Sequence, residues 1–502
     1  MEKIRTEGRV LLDEYGRERI FNGINVCDKG RYDEETGKRN FEYDWTDGRI
    51  EKFVKNGMNI IRLGITWEAV EPEKGKYNEE YLDAIEKILD KCAEAGIYAY
   101  IDMHQDLYSG WGNGPGDGAP AWACYTDGYK YTNPKLVWAE SYFISKAVHR
   151  AFDNFWNDGF GVQTAYRNMW VHVAKKFDGH PALFGYDVMN EPFLGTDGGK
   201  TFFSLISSVA ETTLKDKDIS KVRLIQEALT KGRFIHVLDQ FSGDVMKKIV
   251  CKAAPLVNKF DTHKYMPFLN ATAKEIRKVS KDPILFIENS YYSNMGIKCE
   301  VKPITVDGER VENQIFAPHA YDLMVDTPAY KHANSDRVKM IFDQRKREQE
   351  CNLDMPLIVG EWGGYSEGTE WLHHIEFLLN LFDSNKWSNT YWAYFDGLLE
   401  SPLGEVLKRP YPRAVTGKIE EYKHDRSANT FTLTYTQDKK FKVPTEIFAH
   451  RPIESVETDG KYTIEKIDDE ISVVKIKTAP GRHTVKIKFE GVGFSYLDNM
   501  AK

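Results

Sequence analysis

One recurring unit constrains this chain more than anything else in it: a short apolar run that ends in a polar side chain, followed by a stretch with helical periodicity. Runs of this kind lie at 19–26, 59–65, 97–103, 184–189, 283–287 and 314–317, with a seventh ending at Glu361 and an eighth at 389–394. Between the second and third, Leu82, Ile85, Ile88 and Leu89 share one helical face and Gly96 stops the helix. Eight strands joined by crossovers long enough for parallel pairing, over roughly 400 residues, predict an α/β fold of the (β/α)8 barrel kind. Two segments exceed what a plain crossover needs. An aromatic and glycine-rich excursion fills 107–160, and a largely helical insertion follows Glu191 as far as about Arg277.

Past about 413 the pattern changes to short alternating runs, at 430–436, 441–443, 446–449, 462–467, 471–478 and 483–489. Turn residues such as Asp459-Gly460 and Pro480-Gly481 separate them, which predicts a small antiparallel β-sandwich. The expected division is a catalytic barrel over 1–412 and a C-terminal β-sandwich over 413–502 that packs against it.

On such barrels functional groups gather at the carboxyl ends of the strands. The fourth run leads into Asn190-Glu191-Pro192 and the seventh into Glu361-Trp362-Gly363. A carboxylate at the end of a buried strand is costly unless it is used. Two of them are what glycoside hydrolysis requires, one to donate a proton and one to attack the anomeric carbon. A gap of about 5–5.5 Å between them would make the reaction retaining. Arg62 interrupts an apolar run, which is expensive unless the charge is paired. Beneath Glu361 it would keep that carboxylate ionised; the plainer reading is a buried ion pair that fixes the barrel. His104, Asn190, His319, Tyr321 and Trp392 also fall at strand ends. Asn190 suits a substrate hydroxyl, Tyr321 a hydrogen bond to the nucleophile and Trp392 the floor under a sugar ring, with core packing as the other reading of the rings. Glu288, at the end of the fifth run, is a rival carboxylate.

Composition excludes several function classes. The chain has 502 residues, 41% of them hydrophobic, and a net charge of -8 with both signs interspersed, so it carries no basic footprint for nucleic acid. Its six cysteines lack zinc spacing and its strand-end histidines are isolated from them, so neither a metal nor another cofactor is expected. Residues 1–19 are densely charged and form no apolar run, which predicts neither a signal peptide nor a transmembrane segment. As the sequence stands the expected compartment is the cytoplasm, or the cell exterior if a leader was removed.

Asn190-Glu191-Pro192, with Arg62, His104, His319-Ala320-Tyr321, Glu361 and Trp392, resembles the signature of glycoside hydrolase family 5. More narrowly, Asp102-Met103-His104-Gln105-Asp106-Leu107-Tyr108-Ser109, Gly118-Ala119-Pro120-Ala121-Trp122-Ala123 and Arg150-Ala151-Phe152-Asp153-Asn154-Phe155-Trp156 are similar to the endoglycoceramidases. Two further stretches, Lys408-Arg409-Pro410-Tyr411-Pro412-Arg413-Ala414-Val415 and Pro444-Thr445-Glu446-Ile447, carry the likeness into the sandwich. The resemblance implies cleavage between a glycan and the ceramide of a glycosphingolipid, with Glu191 as acid/base and Glu361 as nucleophile. It also implies contacts of Lys29, Asp106 and Trp156 with the first sugar. The helical insertion would line a groove for the lipid tails around Phe202-Phe203, Leu205-Ile206 and Phe234-Ile235, the alternative being packing onto the barrel. Transient contact with a lipid or micelle surface goes with such a substrate. Glycan length stays open. A glucosylceramidase, galactosylceramidase or steryl β-glucosidase of the same fold is the alternative, and a non-catalytic glycolipid-binding protein is the rival from another class.

Overall fold

The computed structural model describes residues 1–501 apart from 42–44, 46, 47, 136, 218 and 231–237. Eight parallel strands form the barrel: Asn22–Cys27, Ile60–Thr66, Tyr98–His104, Leu183–Asp187, Ile284–Ile287, Gln314–Phe316, Ile358–Val359 and Ser388–Tyr391. They pair in chain order from the first to the sixth, with the eighth beside the first and the seventh beside the eighth. The ring closes where the Phe316 N–H donates to the Pro356 carbonyl at 3.0 Å. Just above this seam His319–Ala320 pairs in parallel with Glu361–Trp362. Every residue of the second and third strands is buried, as parallel strands between a helical shell and a filled interior must be. An apolar cluster including Phe21, Ile60, Tyr98, Phe184, Phe286 and Ile315 packs the amino-terminal half of the barrel interior. Only the carboxyl end is left for chemistry.

The sandwich differs from the expectation in its membership. One sheet contains Lys418–Asp425, Thr430–Gln437, Gly481–Phe489 and Ile453–Glu457. The other contains Tyr411–Val415, Thr445–Ala449, Ser472–Lys477 and Lys461–Lys466, and is extended by Ile4–Glu7, Val10–Asp13 and Glu18–Arg19. Residues 4–19 therefore belong to the sandwich sheet and not to a barrel unit of 1–412. Charges in this segment are paired within the sheet: buried Arg17 donates to Asp13 at 2.8 Å and to Glu446 at 2.9 Å. The run at 441–443 is not a strand; it leads into Thr445–Ala449, which has a neighbour on each side.

The segment after Glu191 is helical as expected, with Thr196–Lys215, Lys221–Leu229, Gly243–Val250, Ala254–Phe260 and Met266–Arg277. Among the described residues no helix is long and apolar enough to cross a membrane.

Candidate active site

Arg62 organises the floor of the site. Its guanidinium is buried and donates to Glu361 Oε1 at 2.5 Å, Asn190 Oδ1 at 3.0 Å, Glu288 Oε1 at 2.8 Å and Asp187 Oδ2 at 3.0 Å. Asp102 Oδ1 lies at 3.0 Å as well. Burial alone would weaken the charge, but the surrounding carboxylates outweigh it and hold the Arg62 pKa well above its usual value. The arrangement unites both readings of Arg62, since the residue that neutralises Glu361 also ties four strand ends together.

Glu361 is held at both oxygens, Oε2 accepting from the Tyr321 hydroxyl at 2.8 Å. Glu191 sits opposite. Its backbone is in the left-handed region at φ 43°, uncommon for a residue with a side chain, and is fixed there by its N–H donating to Glu288 Oε2 at 2.7 Å and its carbonyl accepting from Gln105 at 3.2 Å. Its Oε1 receives the Asn294 amide and lies 3.0 Å from His319 Nδ1. Burial, reinforced by the charge of Asp106, pushes the Glu191 carboxyl up to about 8. Burial also pushes His319 down to about 3, so the imidazole between the two glutamates stays neutral. One oxygen of Glu191 and one of Glu361 lie within 4.8 Å of each other and of a His319 nitrogen.

A second cluster borders the first. Lys29 forms an ion pair with Asp106, approaches Asp117 at 3.4 Å and lies 5.2 Å from the ring centroid of Trp392. Burial opposes the Lys29 charge, and Asp106 and Asp117 overcome it, raising its pKa. Asp106, though buried, is held at about 2 by Lys29 and His104. His104 lies against Asp102 at 2.8 Å and stacks on Trp392 with centroids 5.1 Å apart. Lys29, His104, Asp106, Asn190, Glu191, Tyr321, Glu361 and Trp392 all line one cavity of about 440 Å³. Apolar residues also line it, Val137, Trp138 and Ala139 from the excursion after the third strand, Tyr291 and Met295 after the fifth, and Leu323 and Val325 after the sixth, interspersed with Asn294, Asp322, Asp326 and Thr327.

Two expectations fail. Trp156 does not reach the cavity: its indole donates to the Phe193 carbonyl at 2.8 Å and its ring packs on Phe260 and Phe268, because its helical face points outward to the next helices. The described residues of the helical insertion do not line the cavity either. Phe202 stacks on Phe143, Leu205 is buried, and Phe203 and Ile206 face solvent, while Phe234 and Ile235 lie outside the described residues. Glu288 is present but buried under Glu191 and Arg62, away from the cavity surface. Burial and the neighbouring Asp187 raise its pKa far above the usual carboxylate range.

Asn294, Asp117 and Trp138 carry no sequence signal that marks them for the site. Asn294 lies in a short 3-10 turn, Tyr291–Met295, and Trp138 in an irregular segment, neither with a periodicity to flag it, and Asp117 reaches Lys29 only because its backbone bridges Asp106. Among the described residues three groups of side chains are close enough to converge on a cation. In His104–Asp106–Asp117 the Lys29 ammonium already supplies the positive charge, and in Asp102–Asp187–Glu288 the Arg62 guanidinium does. In the third, Glu191–His319–Glu361, protein donors from Asn294 and Tyr321 point at the carboxylates.

Comparison with known proteins agrees with this geometry. The cellulase (glycosyl hydrolase family 5) model matches residues 12–397, and the family 5 C-terminal domain matches 409–487. The chain belongs to glycoside hydrolase family 5. An endoglycoceramidase of Hydra vulgaris is 33% identical over 479 residues, covering 86% of this chain and 77% of that protein. One of Cyanea nozakii is 34% identical over 215 residues, covering 38% of this chain and 42%, less than half, of that protein. The structure of endo-glycoceramidase II from Rhodococcus sp. with a cellobiose-like imidazole superposes with a TM-score of 0.71 at 25% identity, covering 96% of this chain and 99% of that one.

Proposed function

We propose that this chain hydrolyses the β-glycosidic bond between the glycan and the ceramide of a glycosphingolipid, with retention at the anomeric carbon. The observation that carries the reading is the approach of an oxygen of Glu191 and one of Glu361 to within 4.8 Å in a cavity lined by both polar and apolar side chains. That separation suits the narrow spacing of retaining enzymes, about 5–5.5 Å, and leaves no room for the water an inverting enzyme needs. The likeness to endoglycoceramidases over most of the chain supports the choice of substrate.

In the first step Glu361 attacks the anomeric carbon. The bond to the ceramide oxygen breaks, and that oxygen takes the proton of Glu191. In the second, Glu191 removes a proton from water, whose oxygen attacks the same carbon and releases Glu361. Lys29, His104, Asp106, Asn190 and Trp392 hold the sugar, and the wall around Trp138, Met295 and Val325 receives the start of the ceramide. Such a substrate brings the enzyme to lipid or micelle surfaces.

The elevated pKa of Glu191 gives the free enzyme a proton to donate throughout the neutral range. Because the protonated form is the active one, kcat/KM on a glycolipid falls as the pH rises through about 8. An aryl glycoside whose phenol leaves unassisted shows a weaker decline. An alkaline limb of equal depth for both substrates would place the ionisation elsewhere.

Incubation with a mixed glycosphingolipid panel, with products identified by mass, tests the reaction itself. Intact oligosaccharides and free ceramide are expected. Hydrolysis confined to single-sugar lipids would replace this reading with that of a glucosylceramidase, and binding without products would leave a glycolipid-binding protein.

A further inference from the structure

Arg39 gathers five backbone carbonyls from two loops. Its Nη1 donates to those of Lys29 at 3.2 Å and Gly30 at 3.3 Å. Its Nη2 donates to those of Gly110 at 3.3 Å, Gly112 at 3.1 Å and Gly114 at 3.0 Å. The side chain is 8% exposed, and Glu68 approaches its Nε at 4.0 Å. Arg39 stands on a hairpin, Arg31–Asp33 paired with Lys38–Asn40, that follows the first barrel strand. The glycines belong to the excursion after the third strand, so one guanidinium joins two strand-end loops.

Those loops carry one corner of the cavity. Lys29, whose carbonyl Arg39 holds, pairs through its ammonium with Asp106 and approaches Asp117. Asp106 and Asp117 close the neck of the glycine-rich loop, the Asp117 N–H donating to the Asp106 carbonyl at 3.0 Å and the Asp106 N–H to the Asp117 carbonyl at 3.2 Å. Between them Gly110, Gly112, Gly114 and Gly116 leave the backbone free to take many shapes. The close approach of Arg39 depends on the first of these, since a Cβ on Gly110 would lie 2.3 Å from the arginine Nε.

We propose that Arg39 is a positioning residue for the sugar subsite: by pinning the Lys29 backbone and the tip of the 107–116 loop to one guanidinium, it holds the Lys29–Asp106–Asp117 cluster in place without touching substrate. A rigid planar fork of N–H donors can hold both loops in one geometry, whereas the ammonium of a lysine at the end of a flexible stem cannot. The proposal rests on the reading of Lys29 and Asp106 as residues that hold the sugar, and it is independent of what the sugar is attached to. Displacing such groups by about 1 Å is enough to cost on the order of 10²-fold in rate.

The test uses the full chain and a soluble aryl β-glycoside. Arg39→Ala lowers kcat/KM by on the order of 10²-fold. Gly110→Ala, which keeps the arginine but crowds its guanidinium, lowers it in the same direction. Lys29→Ala is the reference, and the double variant Arg39→Ala/Lys29→Ala is no slower than Lys29→Ala alone, because residues that act through one contact are not additive. Millimolar guanidinium chloride restores part of the activity of Arg39→Ala and none of that of Lys29→Ala. Wild-type kcat/KM in Arg39→Ala and Gly110→Ala overturns the proposal, and so do losses that multiply in the double variant. A loss that guanidinium leaves unrelieved, in a variant of lowered melting temperature, overturns it as well, since Arg39 would then only hold the fold. Should Arg39→Ala fail to fold, Gly110→Ala and its double with Lys29→Ala decide in its place. Full activity in Lys29→Ala would strike the sugar-holding reading of the cluster and the proposal with it. A loss in Lys29→Ala beside an unaffected Arg39→Ala would strike the role of Arg39 alone.

Discussion

Glu361→Gln removes turnover of glycolipid and aryl glycoside alike, by roughly three or more orders of magnitude, with the fold intact. The amide cannot form the glycosyl ester that the first step requires, so no choice of leaving group compensates. The fold should persist because the amide oxygen can still accept from Arg62, and the Tyr321 hydroxyl, now a donor to Glu361 Oε2 at 2.8 Å, can turn to accept from the new NH2 group. Steady-state kinetics with both substrates, alongside thermal melting, checks this. Activity near that of wild type would remove Glu361 from the mechanism.

Glu191→Ala separates the two steps. Ceramide is a poor leaving group, so hydrolysis of glycolipid should fall by about 10³-fold, while an aryl glycoside with an activated phenol still forms the glycosyl-enzyme. Water then lacks its base and the intermediate persists. Azide needs no base and should restore turnover, giving a glycosyl azide of retained configuration, identifiable by NMR. An inverted azide, or no rescue, would contradict the assignment. Glu288 is not a substitute acid, because it lies beneath the cavity with its oxygens turned to Arg62 and to the Glu191 N–H.

The barrel is legible in the sequence because its strands are buried on both faces and so appear as largely apolar runs, most of them followed by a polar group at the carboxyl end. Arg62 is legible for the opposite reason, as a charge where none can be left unpaired. What escapes depends on direction and distance. Trp156 belongs to a stretch similar to the endoglycoceramidases, but likeness carries residue type and not the way a helical face turns, and this one turns toward Phe260 and Phe268. The sequence suggests a groove at Phe203 and Ile206 because apolarity alone does not distinguish a face turned to the cavity from one turned to the surroundings. Asn294 has no signal at all, since it acts on the site through an amide aimed at a carboxylate more than a hundred residues earlier in the chain.

The strands at 4–19 make the sandwich a clasp and not an appendage. Arg19 pairs with Ala414 across the sheet, and Glu18 accepts from the Ile419 N–H at 2.8 Å across 401 positions of sequence. Without these strands Tyr411–Val415 would be a naked edge, open to pairing with any extended chain it met. The barrel is thus bracketed by two segments hydrogen-bonded to each other, and opening its first or last strand pulls on the same seam. Closing so long a loop is entropically slow, but once it is closed barrel and sandwich share a single cooperative fate.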